Sequence, residues 1–330
     1  MLRLPRVDVA TPETVDEVLA ALATPGARLL AGGTDLLPNL KHRLEDPPVL
    51  VSLSRVRQLQ RIAVQDGVLS IGAGVTLTDV AQSELVRRHA GSLAYAAGLV
   101  ASPLIRNMGT LGGNINLDTR CRYVNQTDFW RSAIGGCLKS EGEVCHVVPG
   151  GKNCVAAMSS DCVPVLISLG ATAVLVGPVG KREVALADYY LADGTRHTTR
   201  ADGELTTEIR VPLPTGPRRA GYAKWTVRGS IDFPLISVAL RFDLAADDVH
   251  AEVTGARVVV GVLGARPREV TRTEDALGKK LSDPAFAAAI ADRVHQQCKP
   301  LPNVPYEAPY RRQMLRVHTR RAIEALVAAG

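Results

Sequence analysis

Two glycine-rich segments constrain the fold of this chain more than any other feature of its sequence. The first is LLAGGTDL, residues 29–36, and the second is GTLGGN, residues 109–114; each follows apolar residues and contains a Gly-Gly pair beside a threonine. Glycine adopts positive φ and lets backbone amides approach an anion closely, and successive amides form a concave site for phosphate. Neither segment is a P-loop or reads G-x-G-x-x-G. One Gly-Gly-Thr sequence is usually a turn, whereas two such loops suit a ligand with two phosphates, a dinucleotide.

The segment after the second loop, at about residues 119–158, carries four of the six cysteines: Cys121, Cys137, Cys145 and Cys154. Their spacing, C-x15-C-x7-C-x8-C, lacks the CxxC pair of zinc ribbons and differs from ferredoxin-type runs. Clustered thiols of this kind indicate zinc or an iron–sulfur cluster in equal measure. The segment has little apolar periodicity, so we expect metal binding to supply much of its folding free energy.

Composition favours an ordinary globular protein in a reducing compartment. The 330 residues are 46% hydrophobic and 22% charged, and this length allows two domains. No apolar run reaches the length of a membrane span, and MLRLPRVDVA lacks the apolar core of a signal peptide. We therefore expect a cytoplasmic protein without membrane contact, in which reduced thiols bind metal instead of forming disulfides.

The net charge of +6 is spread along the chain, except for one basic cluster near the C-terminus. Its members, at helical spacing, are Arg311, Arg312, Arg316, Arg320 and Arg321. Such a cluster is more often a solvated face or a docking surface than a nucleic-acid site. We therefore expect no nucleic-acid partner.

The order of predicted elements indicates mixed α and β structure. A helix capped by Thr11, a strand at 27–31, a helix at 36–44 and a strand at 49–54 form a small β-α-β unit. Asp66-Gly67 marks a hairpin, and Thr78 or Asp79 begins a helical region that reaches about residue 100.

The remaining sequence predicts a second unit. Residues 163–177 read as a helix followed by a strand, and the Pro- and Gly-rich stretch 212–221 reads as a linker. Strands at 235–244 and 256–265 and amphipathic helices at 284–298 and 311–328 follow. The C-terminal third is thus predicted to be a separate α+β unit.

Four motifs in order, AGGTDL, RNMGTLGGNI, SDCVPVLISLGA and GYAKW, resemble the flavin-binding subunits of the molybdenum hydroxylase family, which includes xanthine and molybdenum-type carbon monoxide dehydrogenases. The resemblance covers essentially the whole chain and implies an α+β fold. Residues 1–215 would form an FAD-binding domain of the PCMH or vanillyl-alcohol-oxidase type. It would contain two α/β subdomains, at about 1–56 and 57–215, with the insert at about 119–158. Residues 216–330 would form a smaller C-terminal α+β domain like that of the carbon monoxide dehydrogenase flavoprotein.

The resemblance also implies which residues bind FAD. Two loops would hold its pyrophosphate: Leu29, Leu30, Ala31, Gly32, Gly33, Thr34, Asp35 and Leu36, then Thr110, Leu111, Gly112, Gly113 and Asn114. Asp161 matches an acidic residue near the cofactor chain, Lys224 a lysine near the isoalloxazine, and Ala101 a position in the flavin pocket. The alternatives are a helix N-cap for Asp161 and a solvated side chain for Lys224. No residue of the chain is expected to be catalytic in the acid–base sense.

Most flavin subunits of the family lack the cysteine insert; it resembles that of the 4-hydroxybenzoyl-CoA reductases, which binds a 4Fe–4S cluster. The resemblance implies Cys121, Cys137, Cys145 and Cys154 as ligands, with Cys162 left to the flavin domain and Cys298 to the core or surface. Electrons would pass from reduced ferredoxin to the cluster and FAD. From there they would reach 2Fe–2S clusters in a small partner subunit and molybdenum in a large one, within an (αβγ)2 heterohexamer. The substrate would lose its phenolic hydroxyl, giving benzoyl-CoA.

Two alternatives remain open. One is a flavin subunit of a xanthine, aldehyde or carbon monoxide dehydrogenase, which passes electrons outward from substrate to acceptor and whose insert binds zinc or nothing. The other is a stand-alone zinc-stabilised binding protein that uses its basic helix. Four histidines show no pairing at metal-ligand spacing and are expected at the surface: His42, His89, His146 and His318.

Overall fold

The N-terminal part of the molecule is a small β-α-β unit. The computed structural model describes residues 2–329. The unit is built on a parallel sheet of order β1-β3-β2. Its elements are β1 Asp8–Ala10, α1 Val15–Leu22, β2 Arg28–Leu30, α2 Leu36–Lys41 and β3 Val49–Ser52. Val18 of α1 packs on Val51 of the sheet, and both are fully buried. The β-α-β unit predicted for this region is confirmed.

The middle of the chain forms a five-stranded antiparallel sheet of order β4-β5-β8-β6-β7. Its strands are β4 Ile62–Gln65, β5 Val68–Gly72, β6 Thr172–Gly177, β7 Gly180–Ala185 and β8 Leu205–Pro212. The helices between them are α3 Leu77–Gln82, α4 Glu84–His89, α5 Gly91–Gly98, α6 Pro103–Arg106, α7 Leu111–Ile115, α8 Asp128–Ala133, α9 Cys162–Ser168 and α10 Leu186–Tyr189. The hairpin predicted at Asp66-Gly67 is confirmed, because both residues have positive φ, 50° and 74°, as a two-residue turn requires.

The C-terminal third is an antiparallel sheet of order β12-β11-β10-β9 covered by two long helices. These elements are β9 Arg218–Trp225, β10 Ile236–Leu244, β11 Val253–Gly261, β12 Arg268–Glu269, α11 Pro284–Gln297 and α12 Ala308–Ala328. Alternate residues of β10, such as Val238, Leu240 and Phe242, face these helices and are fully buried. Two short 3₁₀ turns, at Arg57–Leu59 and Thr273–Ala276, complete the regular structure of residues 2–329.

Helix α9 lies at the junction of the two larger sheets. All seven of its residues are buried, and it packs against α5 on one side and against β10 and β11 on the other. A Cβ on Gly261 of β11 would lie 3.1 Å from the ring of Pro164, so the strand and the helix are in direct contact. The start of α9 is therefore fixed from both domains.

Three predicted boundaries differ from the structure. Helix α1 is capped by Thr14, not Thr11: the Thr14 backbone is extended and its hydroxyl accepts a hydrogen bond from the Glu17 amide. Helix α3 is capped by Thr76, two residues before Thr78 and three before Asp79, the predicted starts. The linker is shorter than predicted, because residues 218–221 already pair with β10.

Candidate functional site

The two glycine loops meet backbone to backbone. A Cβ on Gly32 would lie 1.9 Å from the carbonyl oxygen of Met108 and 2.9 Å from the amide nitrogen of Gly109. Gly33 has a φ of +71°, a conformation that side chains rarely adopt. Glycine is therefore required at both positions of the first loop, for close approach at one and for backbone conformation at the other.

The second loop is held by the five-stranded sheet. The Gly112 amide donates to the carbonyl of Ala73 at 2.8 Å, and a Cβ on Gly112 would lie 2.6 Å from that oxygen. The Thr110 hydroxyl accepts from the Gly113 amide at 3.0 Å. Asn114 links the loop to the residues just before α9, because its Oδ1 accepts a hydrogen bond from the Ser160 hydroxyl at 2.5 Å. The loop thus connects the sheet to the junction helix.

Both loops line one cavity of about 880 Å³. Of the predicted FAD residues, those on its wall are Leu29, Ala31, Gly32, Gly33, Thr34, Asp35, Leu36, Ala101, Thr110, Gly112, Gly113, Asn114 and Asp161. Leu30, Leu111 and Lys224 are not part of this wall. Leu111 is fully buried in the core, and the Leu30 side chain packs behind Gly33. The structure thus brings most of the predicted residues, from three separate stretches of sequence, around one space.

Asp161 and Lys224 form a buried pair between this cavity and a second one. Lys224 Nζ lies 3.1 Å from Asp161 Oδ2 and donates to the Leu99 carbonyl at 3.0 Å, while the Tyr222 hydroxyl donates to Asp161 Oδ1 at 2.6 Å. Burial raises the pKa of the Asp161 carboxyl, and the Lys224 ammonium acts in the opposite direction. Asp161 precedes α9 but makes no side-chain cap. Lys224 lines the second cavity, of about 340 Å³.

A basic loop that sequence reasoning missed forms another wall of the large cavity. Residues 195–202, TRHTTRAD, contribute Arg196, His197 and Arg200. Burial lowers the pKa of His197 to about 4, opposed by Asp118 and reinforced by Lys139. Its Nε2 is buried without a hydrogen-bond partner. Two arginines and a histidine within five positions, between Gly194 and Asp202, were the available signal, because arginine suits phosphate groups.

The opposite wall contains two residues in the left-handed region. Ala101 has a φ of +43° and Ile231 a φ of +75°, and the Ile231 amide donates to the Ala101 carbonyl at 3.0 Å. A β-branched residue with positive φ is uncommon and strained. Ile231 and Phe233 belong to the β9–β10 loop, residues 226–235, and both line the cavity. This loop was not predicted as part of the site.

The cysteine insert folds beside the cavity with all four thiols buried. Cys121, Cys137 and Cys154 belong to one cluster of buried residues with Val124. Burial raises the pKa of the Cys121 thiol, and the nearby Cys137 and Cys145 thiols raise it further. Burial likewise raises the pKa of Cys154 to about 11, with smaller contributions from Cys121 and Cys137. Three of the four insert thiols thus share one buried cluster, and Cys145 is a further neighbour of Cys121.

Three basic or polar side chains hold the insert in place. Arg131 is 4% exposed, and its guanidinium donates to the His42 carbonyl at 2.9 Å, at the end of α2. Lys139 Nζ donates to Asp118 at 2.5 Å and to the Gly194 carbonyl at 2.9 Å. The buried Asn303 donates to the Val155 carbonyl at 2.7 Å. The insert is thus tied to the N-terminal unit, the basic loop and the C-terminal domain.

Within residues 2–329, no three His, Cys, Asp or Glu side chains stand at the spacing of ligands around one metal ion. Mononuclear zinc requires four ligands at about 2.0–2.3 Å from the same ion. Each cysteine of a four-iron cluster binds its own iron. The role of the four cysteines as ligands stays a prediction.

The other two cysteines lie apart from the insert. Cys162 is the first residue of α9 and belongs to the main core, where burial and then Asp161 raise the pKa of its thiol. Cys298 is fully buried against α11 and α12, and burial raises its pKa to about 12. Both positions agree with their assignment to the flavin domain and to the core.

Family models and known proteins identify the class of this fold and site. Residues 5–214 match a model described as the FAD binding domain in molybdopterin dehydrogenase. Residues 222–326 match one described as the carbon monoxide dehydrogenase flavoprotein C-terminal domain. The chain belongs to the FAD-binding subunits of the molybdenum hydroxylase family. The fold class predicted from the sequence is confirmed, and so is FAD as the cofactor.

Individual relatives differ in identity and in extent. The aldehyde oxidoreductase FAD-binding subunit PaoB of Escherichia coli (strain K12) is 38% identical over 70% of this chain and 74% of its own. The carbon monoxide dehydrogenase medium chain of Hydrogenophaga pseudoflava is 29% identical over 97% of both chains. A structure of carbon monoxide dehydrogenase from that organism, lacking the Mo-pyranopterin moiety of the molybdenum cofactor, superposes with a TM-score of 0.78 at 26% identity, covering 99% of both chains. No helix within residues 2–329 is long and apolar enough to span a membrane.

Proposed function

We propose that this chain is the electron-transfer subunit, carrying FAD and a 4Fe–4S cluster, of an aldehyde-oxidising molybdenum hydroxylase. The observation that carries the proposal is the placement of four buried thiols, in an insert whose Leu138 and Lys139 line the cavity between both glycine loops. The aldehyde class comes from the 38% identity with the aldehyde oxidoreductase subunit of Escherichia coli. Electrons leave the substrate on a partner subunit and leave the complex through this chain.

FAD fits the large cavity in shape and in charge. The amides and hydroxyls of the loops around Gly32 and Gly113 suit the pyrophosphate, because no Cβ restricts approach there. The guanidinium groups of Arg196 and Arg200, on the same cavity wall, suit its phosphate and ribose oxygens. When bound, FAD accepts two electrons and releases them one at a time.

The insert offers the number of thiols that a 4Fe–4S cluster requires. All four insert cysteines are buried and free, and three of them share one buried cluster. A cluster passes single electrons, which makes it an appropriate neighbour of FAD. Lys139, which affects the Cys154 thiol electrostatically, places a fixed positive charge between the cluster site and the cavity.

Lys224 places a positive charge next to Asp161, which lines the large cavity, although Lys224 itself lines the second cavity. Its ammonium group is 8% exposed and held by the Asp161 carboxylate and the Leu99 carbonyl. A buried cation stabilises negative charge that develops nearby, since the local dielectric is low. Replacing Lys224 with Met should therefore lower the flavin potential, and an unchanged potential would remove Lys224 from this role.

The chain functions with two partners in this proposal. A large subunit holds the molybdenum cofactor and performs the substrate chemistry, and a small subunit holds 2Fe–2S clusters; two copies of each form a heterohexamer. The proposal is supported by relatives named as medium chains of carbon monoxide dehydrogenase.

A second candidate is favoured by the cysteine insert itself. In a 4-hydroxybenzoyl-CoA reductase, electrons would run inward, from reduced ferredoxin through this chain, and the substrate would lose its phenolic hydroxyl. The four insert cysteines are the feature that supports this candidate. The two candidates share both cofactors and differ in the direction of electron flow.

The native complex distinguishes them. The purified complex is supplied either with an aromatic aldehyde and an external acceptor or with 4-hydroxybenzoyl-CoA and reduced ferredoxin. Aldehyde-dependent reduction of the acceptor supports the first proposal, and formation of benzoyl-CoA supports the second. Cys145→Ser should lower the iron content, whereas Cys298→Ser, at a buried thiol far from the insert, should leave it unchanged. Equal iron in both variants would contradict the ligand assignment.

A further inference from the structure

Arg120 joins the metal insert to two walls of the flavin cavity. Its backbone pairs with Ala157 in both directions, at 2.8 Å and 2.6 Å, so the two ends of the insert fix its position. Its guanidinium forms an ion pair with Asp35 of the first glycine loop. It also stacks over the Phe233 ring of the β9–β10 loop, 4.0 Å from the centroid. One side chain thus contacts three segments that are distant in sequence.

Asp35 is committed to this contact. It stands at the N-cap position of α2, yet its side chain makes no cap hydrogen bond. Its carboxylate instead binds the Arg120 guanidinium and accepts from Asn39 Nδ2 at 3.3 Å. A side-chain cap contributes about 1 kcal/mol to helix stability. Asp35 does not provide this stabilisation to α2, because its carboxylate binds Arg120 of the insert instead.

The β9–β10 loop is internally tied and attached to the cavity at few points. Leu235 closes its base by donating to the Trp225 carbonyl at 2.9 Å, and Arg228 pairs with Asp232 at its tip. Ile231 is 58% exposed and Phe233 43% exposed. The strained backbone of Ile231 opposes its contact with Ala101, so contacts such as the Arg120–Phe233 stack are needed to keep the loop against the cavity.

We propose that Arg120 is a positioning residue that couples the state of the metal insert to retention of FAD. An intact insert fixes Arg120, which holds the β9–β10 loop against the first glycine loop and closes the wall over the cofactor. Because coupling between two sites is reciprocal, bound FAD also stabilises the insert. The inference rests on the proposed function, in which FAD fills the cavity and a cluster fills the insert.

The test compares Arg120→Gln with Arg122→Gln in the full chain, within its native complex. Arg122 lies on the other side of Cys121, its side chain is exposed, and it serves as the matched control. We expect Arg120→Gln to weaken FAD affinity about tenfold, the combined effect of a partly buried ion pair and a cation–π contact. Trypsin cleavage after Arg228 should accelerate, while the iron content and Tm measured at saturating FAD stay those of the control. Arg120→Lys should restore affinity in part, because it keeps the charge but not the planar stack.

A double-mutant cycle tests the coupling itself. Cys145→Ser, far in sequence from Arg120, should weaken FAD binding in the wild-type chain and produce no further loss in Arg120→Gln. FAD affinities that multiply in the double variant would overturn the coupling, and equal affinities of Arg120→Gln and Arg122→Gln would overturn the positioning role. If the wild-type chain holds no iron, the cluster proposal fails, and the comparison of the two arginine variants still decides the role of Arg120.

Discussion

Gly32→Ala tests the backbone contact on which the FAD cavity depends. The added Cβ would lie 1.9 Å from the Met108 carbonyl oxygen, whereas ordinary contact begins at 3.4 Å, so the two loops would have to separate by about 1.5 Å. The second loop is fixed by the Gly112–Ala73 hydrogen bond at the end of β5 and by the Leu77–Gly109 hydrogen bond at the start of α3. The displacement must therefore occur mainly in the first loop, which forms the other side of the cavity.

The cost of such an overlap is about 2–3 kcal/mol, the upper part of the range for an inserted methyl in a packed site. If this cost falls on the FAD-bound geometry, FAD affinity falls roughly 30- to 140-fold. FAD binding is measured by titrating the apoprotein and following flavin fluorescence. Gly216→Ala is the matched control, because a Cβ at Gly216 meets no atom within 4 Å. An equal FAD affinity in the two variants would refute the reasoning.

Two further predictions concern buried basic side chains. Arg311 is fully buried, and its guanidinium donates to three backbone carbonyls at 2.7–2.9 Å. Arg311→Met should therefore lower the free energy of unfolding by about 3 kcal/mol. The control Arg320→Met, at a side chain that is 58% exposed, should change Tm little. The pKa of His197 falls from 6.5 to about 4 on folding, so the unfolded chain binds the additional proton between these values. The free energy of unfolding should therefore drop by about 3 kcal/mol as the pH falls from about 6.5 to about 4. Urea titrations measure this pH dependence. It should be lost in His197→Gln and retained in the control His250→Gln, at an exposed histidine.

The parts of the site that depend on local backbone chemistry were predictable from the sequence. Gly32 and Gly112 must be glycine because backbone atoms approach them closely, and such positions are visible as Gly-Gly pairs. The same holds for the hairpin at Asp66-Gly67, where positive φ selects the residues. The resemblance of this chain to the flavin subunits of the molybdenum hydroxylases predicted that Asp161 lies near the same cofactor as the loops, and Asp161 lines their cavity.

The parts that depend on tertiary contacts were not predictable. The basic loop around His197 reaches the cavity because Lys139 of the insert holds the Gly194 carbonyl, and no local pattern encodes that contact. Ile231 has a backbone conformation that β-branched residues avoid, so sequence preference argues against its position. Lys224 faces the second cavity because Asp161 and the Leu99 carbonyl bind its ammonium group.

The iron content attributable to this chain tests the central claim most directly. Iron, acid-labile sulfide and FAD are measured in the purified native complex of the wild type and of Cys145→Ser. The account predicts one FAD in the wild-type chain and a loss of about four irons, with their sulfide, in the variant. Equal iron in the two complexes, or zinc in place of iron in the wild type, would contradict the claim that the insert carries a 4Fe–4S cluster.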